Sequence, residues 1–295
     1  MLQPIAEFIE RHQNWFGYPL IIAMSFLALS LAIIQPDFIE QIELKTLDER
    51  FKLRGPITPD PRVIIVAVDD KSLTKVGRWP WPRDKIAQIV DRLINQYGVK
   101  AIGFDIVFSE KQANPLVESV RLLKESGDEN GTVSHWLEKH RATGDLDAKL
   151  QKTIEEHHSR LVPGYFFYVK GSSVHKLALE RSEEFARLMQ SSAMTTEFTD
   201  DAAHTVPHIA AIEANLPQFT TSADSVGFFN FFPDSDGTVR RIPLIAEYEG
   251  YIYPSMALQT LRTYLDWPDA SVKLDIGGVK EIRLGDRVIR TDHTG

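Results

Sequence analysis

Two apolar runs, Val63–Val68 and Ala101–Phe108, bracket a segment of helical periodicity, and this arrangement constrains the fold more than any other feature of the chain. Both runs are rich in β-branched and aromatic residues, and each has the length of a strand covered on both faces. Between them, Ile86, Ile89, Val90, Leu93 and Ile94 recur at helical spacing within Arg83–Tyr97, and Gly98 follows as a stop. Strand, helix and strand in sequence predict a right-handed βαβ unit with a parallel pair. Asp69, Asp70 and Asp105 then fall at the carboxyl ends of the two strands, where open α/β sheets present groups to ligands. The expected fold is therefore α/β, with a mixed, largely parallel sheet covered by helices.

The segment from Gly17 to Ile34 carries no charge and is about the minimum length for crossing a bilayer. A cleavable signal peptide would have a basic leading region and a small-residue cleavage site. Here Glu7, Glu10 and Arg11 precede the run and Gln35-Pro36-Asp37 follows it. One retained transmembrane helix over residues 17–35 is expected, preceded by an N-terminal segment over 1–16 and followed by a juxtamembrane helix over 36–55. Trp15, Phe16 and Tyr18 suit an interfacial belt. The basic residues on its two sides, Arg11 against Lys45, Arg50, Lys52 and Arg54, leave the orientation undecided. These basic residues are interspersed with acidic ones and lead into a folded domain.

The rest, residues 56–295, reads as one domain. Asn114-Pro115 opens a helix that Gly127 closes, inside a polar excursion over 111–144. Asp145 caps another helix, Leu161–Val169 is a buried strand, and Ser172–Gln190 is an amphipathic helix. Residues 191–206 read as unstructured and Pro207–Pro217 as a short helix. Two apolar runs around Pro233-Asp234-Ser235-Asp236-Gly237 predict a hairpin, and a second hairpin turns at Gly285-Asp286. Between them a helix runs from Tyr253-Pro254-Ser255 through Leu265, burying Leu258, Leu261 and Leu265.

Composition removes several functions. Without cysteine there is no disulfide, thiolate metal site or cysteine nucleophile. A net charge of −8 argues against a nucleic-acid partner. No dinucleotide fingerprint or P-loop follows either apolar run, so no cofactor is expected. No catalytic constellation stands out, and Ser255 has no nearby base in the sequence. His157, His158, His204 and His208 show no ligand spacing tied to a carboxylate. Asp69 and Asp105 are the only metal candidates, set against the plainer reading that strand-end aspartates cap helices and bind loop amides. Arg78-Trp79-Pro80-Trp81-Pro82-Arg83 is either an aromatic wall for a ligand or a stiff loop that caps the sheet. Asp69, Asp70, Trp79, Trp81, Arg83, Asp105 and Arg240 are thus the candidate ligand-binding residues, with Arg240 or Arg241 free to pair with a strand-end carboxylate.

Several strings then carry a family likeness. LDERFKLRGP, PDPRVIIVAVDDKSL, GRWPWPRDKIAQIVDRL, GVKAIGFDIVFSE, SVGFFNFFPDSDGTVRRIPLI and YPSMALQTLRTYL occur in that order. Together they resemble the type-two CHASE domain, a sensory module associated with cyclases and histidine kinases. The likeness spans roughly residues 37–295, with Ser126–Arg141 as an insertion and the closing IRTDHTG as a late strand motif cut short. It implies a sensory domain outside the bacterial inner membrane, on the periplasmic side of a single anchoring helix. A homodimer and an unidentified small-molecule or protein ligand are expected. The implied output is a class III adenylate or guanylate cyclase whose catalytic part lies outside this chain. The alternatives are the sensor of a histidine or serine/threonine kinase, or a membrane-anchored envelope protein with a carboxylate metal site. The family brings no general ligand, so no binding residue is carried over from it.

Overall fold

A computed structural model describes residues 18–30, 37–127, 131–169, 190–198, 206–275 and 277–295. The chain divides into two compact units, Met1–Ala67 with Pro233–Thr238, and Val68–Phe232 with Val239–Gly295.

In the first unit, residues 18–30 are helical (α1) and Asp37–Arg54 forms α2. No helix among the described residues is long and apolar enough to cross a membrane. Residues 17 and 31–36, where the expected span begins and ends, lie outside the described set. The Asp234–Gly237 turn also belongs to this unit. Gly237 adopts φ 81°, and its N–H donates to Asp234 O at 2.8 Å. Asp234 N–H donates to Thr238 O, while Ser235 Oγ donates to Glu40 Oε1 on α2 at 3.0 Å. The expected turn forms, without a strand ladder on either side of it.

The predicted first strand does not form. Residues 63–69 have no regular structure, and Ile65 is 88% exposed. A strand is completed by a neighbour that takes up its N–H and C=O groups, and no ladder joins this run to another segment among the described residues. The helix that follows it, α3 (Asp70–Val76), starts at Asp69. The parallel pair expected around α4 (Arg83–Asn95) is therefore built differently. Strand β1 is only Ile102–Phe104, and its parallel partner is β2 (Leu161–Val169), with Ile102 opposite Leu161. The crossover that a parallel pair requires is supplied by α5 (Pro115–Glu125), α6 (Thr132–His140) and α7 (Leu146–Glu156). Asn114 Oδ1 caps α5 and Asp145 Oδ1 caps α7, as their positions predict.

β2 is the spine of the second unit. Its first third pairs with β1, and Phe166–Val169 pairs antiparallel with β4 (Ile209–Glu213). Gly164 and Tyr165 pair in parallel with β5 (Gly227–Phe228). β4 occupies the stretch expected to be a short helix; Ile209 and Ile212 face the core there, and pairing with β2 overrides the local signal. β3 (Thr195–Phe198) likewise lies in the stretch expected to lack structure. It pairs in parallel with β8 (Ala270–Asp275), which continues antiparallel to β9 (Gly278–Leu284) and then β10 (Arg287–Ile289). The β9–β10 hairpin turns at Gly285 as predicted. A third sheet holds β6 (Ile245–Tyr248) and β7 (Tyr251–Pro254), antiparallel. The sheets are thus mixed rather than largely parallel. The expected helix over Ser172–Gln190 falls mainly outside the described residues.

Helix α8 (Pro217–Thr221) packs beside α7, and α9 (Met256–Tyr264) starts at the cap Ser255. Along α9 the inward face holds Leu258, Gln259 and Thr263, while Leu261, expected inside, is exposed. One core joins α4, α7 and α8 through Val90, Ile94, Leu150, Ile154 and Phe219, with Trp81 and Phe108 at its rim. A second lies between α9 and the β8–β9 sheet, and a third, aromatic one surrounds Tyr165, Phe167 and Phe228.

Candidate functional site

The Trp-Pro-Trp-Pro loop enters α4 through Pro82, which has no side-chain oxygen to cap the helix. The helix N-terminus is satisfied from a distance instead: Arg83 N–H donates to Gln112 Oε1 at 2.8 Å. Gln112 N–H donates in turn to Asp147 Oδ2 at 2.9 Å. The Arg83 guanidinium completes the arrangement. It donates to Glu110 O at 3.1 Å, lies 4.3 Å from the centre of the Phe108 ring, and stands 3.4 Å from Asp147 Oδ1 through Nε. The last contact is an ion pair without hydrogen-bond geometry, since neither Nε nor Oδ1 gains a partner from it. Burial pushes the Arg83 pKa down and Asp147 pushes it back up; the net is downward from a value so high that the guanidinium stays charged.

Trp81 is 6% exposed and donates its indole N–H to Gly77 O at 2.8 Å. Trp79 meets it edge to face with ring centres 5.8 Å apart and remains 37% exposed. The structure therefore brings Trp79, Trp81 and Arg83 together and uses two of them to seal a core. Trp81 and Arg83 are scaffold, and Trp79 is the member of the three that presents a face to solvent.

The remaining sequence candidates separate. Asp69 Oδ1 accepts from Ser72 N–H at 2.9 Å and Ser72 Oγ at 2.7 Å, which makes it the cap of α3. Those bonds hold its carboxyl below the usual range. Asp70 opens the same helix, exposed, and Asp105 is exposed just after β1. Among the described residues these three aspartates belong to no group of metal-capable side chains. Arg240 is partly buried, and its neighbour Arg241 reaches Asp292 Oδ2 at 3.6 Å rather than a strand-end aspartate.

Three histidines set aside on sequence spacing do face carboxylates, among them His208, whose Nδ1 meets the buried Glu247 Oε2. His157 Nε2 stands 3.1 Å from Asp91 Oδ1, and His158 Nδ1 stands 2.9 Å from Asp224 Oδ1. Glu156 joins the His157 pair: Asp91, Glu156 and His157 each offer a ligand atom within 4.8 Å of the others. Asp91 comes from α4 and the other two from the end of α7. No local spacing could have shown the grouping, because it depends on how those helices pack.

The sequence profile of the CHASE2 domain matches residues 21–295. The chain belongs to the CHASE2 family. CHASE2 domains are extracellular sensory domains of signalling proteins. No curated protein and no solved structure matches the chain. In this CHASE2 domain the buried charges of Arg83 and Asp147 are spent on holding a loop against a core, and Trp79 presents an exposed indole on that loop.

Proposed function

We propose that this CHASE2 domain is the periplasmic input of a bacterial transmembrane signalling protein whose output is a class III adenylate or guanylate cyclase. The family match across residues 21–295 is the observation that carries the reading. The uncharged run Gly17–Ile34 would serve as the inner-membrane anchor, with the domain acting as a homodimer. A ligand or protein partner would contact the exposed face of Trp79, held on the rigid base of Trp81 and Arg83. Such contact changes output only if the ligand has different affinities for the two signalling states.

The test expresses the full-length protein in a bacterium lacking its own cyclases and measures cyclic AMP and cyclic GMP, beside the same protein carrying Trp79→Ala. The expected outcome is accumulation of one cyclic nucleotide at a level that the substitution changes. Autophosphorylation without either nucleotide would transfer the output to a kinase. Neither activity would overturn a signalling output altogether.

A further inference from the structure

We infer that Asp91, Glu156 and His157 form a binding site for a single divalent transition-metal ion of the zinc type. The three ligand atoms lie within 4.8 Å of one another. A tetrahedral zinc with bonds of about 2.0–2.2 Å places its ligand atoms roughly 3.4 Å apart. The His157 Nε2 to Asp91 Oδ1 distance, 3.1 Å, is already close to that edge. Glu156 is exposed at the last turn of α7, and its carboxylate already lies within 4.8 Å of the other two ligand atoms. Its present partner, Lys152 Nζ at 3.6 Å, is an exposed ion pair whose loss costs little.

The site is held by packed elements. Asp91 sits on α4 between the core residues Val90 and Ile94, and α4 lies against α7 through Val90, Ile94, Leu150 and Ile154. The His157 side chain is only 14% exposed, and its backbone N–H closes α7 on Thr153 O and Ile154 O. The imidazole is therefore oriented before any ion arrives, and a cation replaces the proton that Nε2 and Oδ1 otherwise share. Neighbouring carboxylates are committed elsewhere: Glu155 accepts from Gln151 Nε2 and Ser222 Oγ, and Asp224 faces His158. One imidazole nitrogen with two carboxylates selects a transition ion over calcium or magnesium, which take oxygen ligands. A fourth position is left for water or for a group from outside the domain. The inference stands whatever output the protein drives.

The experiment titrates the full chain with zinc chloride by calorimetry and with cobalt(II), read by visible absorption. The expected result is one ion per chain, with affinity reduced at least roughly tenfold in both His157→Ala and Glu156→Gln, since losing even an outer-shell partner costs that much. Glu155→Gln should bind as the unaltered chain does. Glu156→Gln alters an exposed residue, so it keeps the test decisive if His157→Ala fails to fold. Absence of saturable binding, or affinity unchanged in Glu156→Gln, overturns the site. Equal displacement of zinc by magnesium overturns the nitrogen ligand's role.

Discussion

Asp147 is 5% exposed and serves two groups at once, the Gln112 N–H and the Arg83 guanidinium. Removing it leaves a buried positive charge and a backbone donor without their acceptor. Truncating one partner of a buried ion pair typically costs about 3–5 kcal/mol. The Glu110 carbonyl still accepts from Arg83, so Asp147→Ala should fall near the lower end, about 3 kcal/mol, by urea denaturation. A loss under about 1 kcal/mol, the range of exposed pairs, would show that the pair is solvated. Asn215 performs a similar double service without charge: its Oδ1 accepts from Phe108 N–H and its Nδ2 donates to Gly164 O, each at 2.7 Å. It ties the loop after β1 to the middle of β2. Asn230 does the same for Phe167, accepting from its N–H at 2.9 Å and donating to its carbonyl at 2.7 Å, as a neighbouring strand would. At this scale the buried polar residues stand in for pairings that the short strands do not supply.

Among the elements, β2 carries the greatest load because three strands meet along it. Such crowding explains its glycine. A Cβ at Gly164 would stand 2.2 Å from Phe104 O and 2.6 Å from the Phe229 ring. Backbone on one side and a ring on the other leave no flexible atom to give way. Overpacking costs typically 1–3 kcal/mol and occasionally more, so Gly164→Ala should cost about 3 kcal/mol. The same assay on Gly237→Ala, which meets nothing within 4 Å, gives the cost of positive φ alone. Equal losses in the two variants would contradict the close-approach argument. The helices behave more simply. α5, α7 and α9 each begin at a side-chain cap, Asn114, Asp145 and Ser255, and each puts at least one apolar residue into a core.

For the whole molecule, the run Val63–Val68 is the clearest departure from a closed α/β architecture. It has the composition of a buried strand and lies exposed, with no ladder partner among the described residues. Exposed strand-forming segments of low charge promote self-association. Ile65→Lys should therefore change stability by less than about 0.5 kcal/mol, as exposed substitutions do. It should also lower the aggregation seen by light scattering at raised concentration. A destabilisation of several kcal/mol would instead mean that the segment is buried in the working protein. What the sequence determined by itself is the local order: the extent of α4, the caps at Asn114, Asp145 and Ser255, the turns at Gly237 and Gly285, and the buried strand Leu161–Val169. These follow from residue spacing, capping chemistry and glycine conformations, which act over a few neighbouring residues. The motifs of the family were legible for the same reason. What only the tertiary structure decided is pairing across distance. It made β2 the partner of β1, drew Ile209–Glu213 into a strand, turned Trp81 and Arg83 inward as scaffold, and brought His157 to Asp91 across 66 residues of chain. Strand partners and side-chain clusters are chosen by competition among all the surfaces of a folded chain, and a single stretch of sequence carries no record of the outcome.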